Sequence, residues 1–139
     1  MAVEISVTVT GGLDCLATHG PSRAEIKTTP PVDNGGDGTS FSPTDLVATA
    51  LGSCVLSMLA LGAQKHDLDL AGTTAHVEKH MSTDSPRRIS RLPVTVVVPQ
   101  QVDPTLQITL ERAARACPVA RSISDGIDAP ITFRWAKLP

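Results

Sequence analysis

Two cysteines in this sequence occupy positions where a thiol could carry out redox chemistry. Cys54 ends the stretch "SPTDLVATALGSC", and Cys117 opens the stretch "CPVARSI" far downstream. A thiolate is a strong nucleophile that can be oxidised to a sulfenic acid, which a second thiol converts into a disulfide. The presence of both thiols makes this chemistry one function that the chain could have.

Each thiol, taken separately, also has a purely structural explanation. Cys54 falls inside an apolar helical stretch, where a cysteine is usually a small, inert hydrophobic side chain. Cys117 precedes Pro118, a residue suited to the first position of a helix, so free backbone N–H groups would point towards the thiol and favour the thiolate. A tight joint between two helices that happens to contain a cysteine explains Cys117 equally well.

A long helix must position Cys54. Ser42 has N-cap chemistry, Pro43 suits the first helical position, and Asp45 places a carboxylate beside the positive end of the helix dipole. The helix closes between Gly62 and Asp69, and its polar residues keep it well short of a membrane span. Two adjoining apolar rows predict that it is buried over most of its circumference: Leu46, Ala50, Cys54 and Met58, and Val47, Leu51, Val55 and Leu59.

Strands flank this helix in the sequence. Alternation of apolar and polar residues from Val3 to Val9 predicts a strand, and "CLATHG" and "RAEIKT" extend it to a meander. "TTAHVEKHMS" and "ISRLPVTVVVP" predict a hairpin, Pro104 begins an amphipathic helix, "CPVARSIS" begins a short helix, and "APITFRWAKLP" is a closing strand. The order predicts one α+β domain over residues 1–139, with antiparallel sheets around a central helix.

The composition argues against several other classes of protein. Aromatic residues make up 2% and the net charge is −2, so neither a base-stacking surface nor a basic patch for nucleic acid is expected. The N-terminus resembles no signal peptide, which favours a soluble, cytoplasmic protein without a membrane partner. Cys15, the third cysteine, is expected to be structural or partly exposed. His76, Glu78 and His80 are expected to form a polar strand face, and no metal is assigned.

Five stretches of the sequence together resemble one known family. "GGDGTSFSPTDLVATALGSC" and "ERAARACPVARSI" are similar to motifs of the osmotically inducible protein C and organic hydroperoxide resistance (OsmC/Ohr) superfamily. "TGGLD", "KHMSTDSPRRISRL" and "ITFRW" extend the resemblance over nearly the whole chain. The resemblance implies the OsmC-like fold and an intertwined homodimer, in which sheets from both chains wrap two central helices and the active sites lie at the interface.

The same resemblance implies a thiol-dependent peroxidase acting on organic hydroperoxides. Cys54 would attack the hydroperoxide and become a sulfenic acid, and Cys117 would resolve it to a Cys54–Cys117 disulfide. No bound cofactor is implied. An external dithiol, such as a lipoylated protein, or a small thiol would reduce the pair again.

The sequence departs from the family pattern at the groups that activate the thiol. Peroxidases of the family carry an arginine, either after the Gly-Gly turn or in the loop before the helix, paired with a glutamate that follows the helix proline. These three positions hold Leu13, Asn34 and Thr44. Asp45 is the nearest carboxylate, but at ~100° per residue it lies on the opposite helix face from Cys54.

Four charged residues are candidates for a supporting role, namely Asp45, Lys79, Arg88 and Arg23. Lys79 alternates with apolar residues and is expected to point inwards, although packing of its stem with the ammonium group in water is the favoured explanation. Two functions follow from the sequence: an organic hydroperoxide reductase, or alternatively a non-peroxidatic OsmC-like dimer that binds a small hydrophobic ligand or senses thiol oxidation.

Overall fold

A computed structural model describes all residues from 1 to 139 and contains eight β-strands and two α-helices. The α+β class predicted from the sequence is confirmed. Packing divides the chain into two compact units, Met1–Val47 and Ala48–Pro139.

The first unit contains the predicted meander. Strands β1 (Ile5–Gly11), β2 (Asp14–His19) and β3 (Glu25–Thr28) pair antiparallel in that order. Gly12 lies in the β1–β2 turn at φ 57°, a left-handed conformation that favours glycine. A 3₁₀ turn at Val32–Asn34 follows the sheet.

One face of this three-stranded sheet is apolar and exposed. Ile5, Val7 and Val9 alternate along β1, and their side chains are 63%, 63% and 67% exposed. Val7 pairs with Ala17, which pairs with Ile26, so Ile26 lies on the same face and is 48% exposed. Ile5, Val7, Val9 and Ile26 are called the apolar sheet face below.

Helix α1 (Pro43–Gln64) begins where the sequence predicts. Ser42 Oγ accepts a hydrogen bond from the Asp45 N–H at 3.1 Å, and Asp45 Oδ2 accepts one from the Ser42 N–H at 2.8 Å. This reciprocal pair is a capping box with aspartate in the place of glutamate. Its two bonds satisfy backbone donors that a helix start would otherwise leave unpaired.

The burial of α1 differs from the sequence prediction. The helix buries one face, formed by Ala48, Leu51, Gly52, Val55, Leu59 and Ala63. Ala50 and Leu61 are exposed, whereas Cys54 and Met58 are half-buried. The prediction that α1 is buried around most of its circumference is therefore wrong for the single chain. Apolar rows in the sequence do not reveal how many faces of a helix pack against other elements.

Helix α1 has the predicted length, but its apolar stretch is longer than expected. Its 22 residues include a window of mean hydropathy 2.0, so by length and composition it could cross a membrane. The expectation that polar residues keep it short of a span is wrong. A core helix of a soluble protein passes the same test, and 33% of the window is buried inside the protein.

In the second unit, the predicted hairpin forms but each of its long strands is divided. Strand β4 (Thr74–Val77) pairs with β7 (Val94–Val98), and β5 (His80–Met81) pairs with β6 (Ile89–Arg91). The Glu78 N–H donates to the Pro93 carbonyl at 3.1 Å, but Pro93 has no N–H to return a bond. The proline therefore explains the break in the ladder.

The last strand joins the sheet in a direction that the sequence analysis did not predict. Helix α2 (Pro104–Arg115) leads to β8 (Ile131–Trp135), and β8 pairs parallel with β7. The sheets were expected to be antiparallel throughout. Because α2 lies between β7 and β8 in the chain, it acts as a crossover that returns the chain in the same direction.

The short helix predicted after Cys117 is absent, and turns replace it. The Arg121 N–H donates to the Cys117 carbonyl in a helical pattern, but the Ser122 N–H bonds the Val119 carbonyl instead of that of Pro118. The Ser122 hydroxyl takes the Pro118 carbonyl at 2.7 Å. A side chain thus replaces the backbone donor that would have continued the helix.

Candidate thiol site

Cys54 lies on α1 on the side away from the β4 strand. A Cβ placed on Gly52 would lie 2.8 Å from Val77 Cγ2 and 3.8 Å from Ala75 Cβ, so Gly52 marks the line where α1 meets β4. Two residues further along an α-helix, a side chain is rotated by ~200°. Cys54 therefore points almost directly away from β4.

Helix α2 supplies the neighbouring element. A Cβ on Gly62 would lie 3.0 Å from Leu110 Cδ2 and 3.8 Å from Ala113 Cβ, so α2 packs closely against α1 at this glycine. Gly62 is rotated from Cys54 by only ~80° around α1. The end of α2 then carries Cys117, whose N–H donates to the Ala114 carbonyl at 3.2 Å.

Cys117 is fully buried within the chain. Its Sγ accepts a hydrogen bond from the Ala120 N–H at 3.3 Å. Burial raises the pKa of the Cys117 thiol; the Ala120 hydrogen bond opposes this shift, and the neighbouring Cys54 thiol raises the pKa further. The expected thiolate-favouring N–H group is therefore present, but the predicted direction is wrong because burial outweighs one hydrogen bond.

The structure brings Cys54 and Cys117 together. The two thiols interact with each other, and both are free rather than joined in a disulfide. Cys54 is half-buried, whereas Cys117 is fully buried. Cys15 is a free cysteine of the first unit, paired with Val9 across the meander. The site is thus an accessible thiol backed by an inaccessible one.

Leu13 and Asn34, the two positions at which the resemblance implies an arginine, both lie in the first unit. Leu13 is 59% exposed, and its Cδ1 lies 3.5 Å from the position that a Cβ on Gly35 would occupy, next to Asn34. Neither the Leu13 nor the Asn34 side chain carries a charge. Thr44, at the glutamate position, places its hydroxyl 3.1 Å from the Ser42 hydroxyl in the helix cap.

The four supporting candidates have different surroundings. Arg88 pairs with Asp84 at 3.0 Å and donates to the Pro86 carbonyl, at the exposed end of the hairpin. Arg23 is exposed at φ 63° in the turn after β2. Asp45 takes part in the α1 cap. Lys79 is half-buried and follows β4, the strand that packs against α1 at Gly52. Because Cys54 lies on the opposite side of α1, a role for Lys79 at Cys54 has no direct geometric support. The supporting roles stay predictions.

Sequence analysis did not identify two groups that shape the site. Gly52 allows β4 to approach α1, and a glycine inside a long apolar helix was the signal that could have revealed it. The Ala120 N–H follows Cys117 by three residues, the spacing of a side chain that caps a turn. No group of three or more His, Cys, Asp or Glu side chains is placed to hold a metal ion.

The class of protein is therefore an α+β domain that holds two neighbouring thiols, those of Cys54 and Cys117. A family model described as OsmC-like protein matches residues 36–132, more than half of the chain. The chain therefore belongs to the OsmC-like protein family. No curated protein sequence matches the chain significantly.

Solved structures share the whole fold. A Psychrobacter arcticus protein, provisionally described as an osmotic stress induced and detoxification response protein, is 42% identical, with a TM-score of 0.88 and 94% of each chain covered. An organic hydroperoxide resistance protein from Elizabethkingia anophelis has 17% identity and a TM-score of 0.77, covering 98% of this chain and 97% of its own. OhrB of Bacillus subtilis, also an organic hydroperoxide resistance protein, has 16% identity and a TM-score of 0.69, covering 96% and 98%. The shared fold indicates a soluble protein in which α1 is a core helix.

Proposed function

We propose that this protein is a thiol-dependent peroxidase that reduces organic hydroperoxides. Membership of the OsmC-like family supports a general role in redox chemistry and peroxide resistance. The observation that carries the specific proposal is that a half-buried Cys54 lies near enough to a fully buried Cys117 to raise the pKa of its thiol. The fold shared with organic hydroperoxide resistance proteins supports the choice of substrate class.

The reaction needs both thiols. The Cys54 thiolate attacks the terminal oxygen of the hydroperoxide and the O–O bond breaks, so Cys54 becomes a sulfenic acid. The alkoxide that leaves takes a proton from water and becomes the alcohol. The Cys117 thiol then attacks Cys54 Sγ, the S–O bond breaks, and water leaves with the thiol proton. The peroxide has been reduced by two electrons, and the thiol pair has been oxidised to a disulfide.

The difference in exposure supports the two proposed roles. A hydroperoxide can approach Cys54, whereas no surface of Cys117 is accessible within the chain. Cys117 therefore resolves the sulfenic acid from inside the protein. Its hydrogen bond from the Ala120 N–H holds Sγ on the side of the turn and stabilises the thiolate that must attack.

The active unit in this proposal is a homodimer with its active sites at the interface. The apolar sheet face exposes four large aliphatic side chains at 48–67%. Contiguous apolar surface of this kind is unfavourable in water and is typical of a surface that another chain covers. A second copy of this chain is the expected partner, and neither nucleic acid nor a membrane is required.

Completion of the cycle requires an external reductant and a reducing compartment. The disulfide returns to two thiols when an external dithiol, such as a lipoylated protein, or a small thiol donates two electrons. No bound cofactor takes part. Three free cysteines are compatible with the cytoplasm, where thiols are kept reduced.

One observation favours the alternative, a dimer that binds a small hydrophobic ligand or senses thiol oxidation without turnover. Leu13, Val32 and Phe41 are apolar and 51–71% exposed in the first unit, where relatives with peroxidase activity would have a cation. An apolar group at Leu13 can hold a hydrocarbon chain, but it cannot stabilise a thiolate or polarise a peroxide.

The decisive experiment adds stoichiometric cumene hydroperoxide to the fully reduced protein and measures its intact mass without reductant. We expect the loss of two hydrogens within minutes, with peptide mapping that joins Cys54 to Cys117. The Cys15→Ser variant serves as the matched control and should behave like the native chain. Free thiols that persist at both positions would exclude the peroxidase and leave the ligand-binding alternative.

A further inference from the structure

A cleft of about 380 Å³ opens beside the segment that follows Cys117. It is lined by the end of α2, the turn after Cys117 and the first residue of β8. Its volume is within the range of small-molecule sites. The proposed peroxidase reaction makes no use of this cleft, although Ala120, which bonds Cys117 Sγ, forms part of its wall.

Arg115 provides the positive charge in the cleft. Its Nη1 donates to the Ile131 carbonyl at 2.8 Å, the guanidinium lies 5.1 Å from the centre of the Phe133 ring, and Nη2 lies 3.8 Å from Glu111 Oε2. A guanidinium has five N–H donors, so a single hydrogen bond leaves most of them available. The same contacts fix the group in place, which lowers the entropy lost when a ligand binds.

Asp125 provides a negative charge in the same cleft. Its carboxylate forms no hydrogen bond or ion pair, and no ion pair joins it to Arg115, although both residues line the cleft. The aliphatic side chains of Ile123, Ile127 and Ile131 form part of the lining, together with Ser124, Ala129 and Pro130. Opposite charges that line one cleft without pairing, with aliphatic side chains between polar groups, match a ligand with opposite charges at the two ends of a short body.

We propose that this cleft binds a small zwitterion, a free amino-carboxylate of the size of a dipeptide or tripeptide. The ligand carboxylate binds the spare N–H donors of Arg115 as a charge-assisted pair. The ligand ammonium binds Asp125, and the apolar body packs against the isoleucines. This inference goes beyond the proposed peroxidase and does not depend on it.

The test titrates the reduced full-length protein with alanyl-leucine, with its N-acetyl form and with its C-terminal amide, followed by NMR shifts of the Ala120 and Ile127 amides. We expect the free dipeptide to bind at least about tenfold more tightly than either blocked form, because each block removes one charge-assisted bond. Equal affinities of the three peptides, or no shift at ~10 mM peptide, would overturn the proposal.

Variants separate the two charges. Asp125→Asn should abolish the preference for the free amine over the N-acetyl form, and it should fold normally because Asp125 is exposed and its carboxylate forms no hydrogen bond or ion pair. Arg115→Gln should abolish the preference for the free carboxylate, with Arg112→Gln, exposed on the same helix, as its matched control. Cys54→Ser should bind the dipeptide like the native chain. An unchanged preference in Asp125→Asn would contradict the assignment.

Discussion

At the scale of single residues, the thiol site combines half-buried Cys54, the proposed nucleophile, with Cys117, the proposed resolving thiol, which is costly to ionise. Burial raises the pKa of the Cys117 thiol, and the thiolate is the form that attacks sulfur. Only a small fraction of Cys117 is therefore reactive at neutral pH. Formation of the disulfide, rather than attack on the peroxide, is expected to limit the oxidation of the pair.

The pH dependence of disulfide formation tests this conclusion. After a single addition of cumene hydroperoxide, we expect the rate of disulfide formation to rise about tenfold per pH unit between pH ~7 and ~8.5, because the thiolate fraction of a group titrating above this range rises in that proportion. Acid-quenched intact mass gives the rate. A rate independent of pH would show that Cys117 is already a thiolate.

The raised pKa of Cys117 also makes a prediction about stability. A thiol whose pKa is higher in the folded than in the unfolded chain contributes stability that is fully present below the unfolded pKa and is lost as pH rises towards the folded one. We expect the Tm of the reduced protein to fall more steeply above pH ~8.5 than that of Cys117→Ala. Thermal unfolding at several pH values measures both slopes, and parallel curves would contradict the shift.

Some residue roles could be predicted from the sequence, and others could not. Ser42, Pro43 and Asp45 predict the helix start because capping depends on neighbours in the chain. The pairing of Cys54 with Cys117 followed from the family resemblance, since no local rule connects a residue inside α1 with one that follows α2. The pKa direction of Cys117 was wrong because burial depends on everything packed around the sulfur.

At the scale of the elements, the approach of β4 to α1 depends on the absence of a side chain at Gly52. Gly52→Ala should favour the helix by about 1 kcal/mol, but the new Cβ would lie 2.8 Å from Val77 Cγ2. The stiff, β-branched Val77 cannot easily move, so overpacking of about 1–3 kcal/mol should dominate. We expect a lower free energy of unfolding in urea. Ser53→Ala, exposed on the same helix, is the control, and a stabilised Gly52→Ala would contradict this packing.

The start of α2 gives a second prediction for an element. Asp103 accepts hydrogen bonds from the N–H groups of Thr105 at 2.9 Å and Leu106 at 3.4 Å. Asp103→Ala should lower the free energy of unfolding by about 1 kcal/mol. Asp103→Asn keeps the capping oxygen and should remain within a few tenths of the native value. Equal losses in both variants would show that the charge, not the cap, is responsible.

The elements themselves were predicted to different degrees. Both long helices and the meander follow from local periodicity and from Pro43 and Pro104. The parallel pairing of β7 with β8 was not predicted. The direction of a strand within a sheet depends on the connection that precedes it, and here helix α2 forms that connection. The turn after Cys117 was predicted as a helix because the sequence does not show whether the backbone N–H or the hydroxyl of Ser122 will bond the Pro118 carbonyl, four residues earlier.

At the scale of the whole molecule, the apolar sheet face is the feature that a single chain leaves unexplained. Its residues follow the alternation that the sequence analysis identified as a half-buried strand, yet both faces of β1 are exposed in one chain. Periodicity correctly separated the apolar from the polar face, but it could not say which molecule covers the apolar one. A second copy of the chain provides that cover in the proposed homodimer.

The same substitution, made on opposite faces of β1, tests the homodimer. Val7→Glu places a charge in the apolar sheet face, and burying it without a partner is costly. Thr8→Glu places the same charge one residue further along, on the opposite polar face. We expect light scattering after gel filtration to give twice the 14.5 kDa chain mass for the native protein and for Thr8→Glu, but the mass of one chain for Val7→Glu. If the native protein is itself monomeric, or if Val7→Glu remains a folded dimer, this face is not the interface.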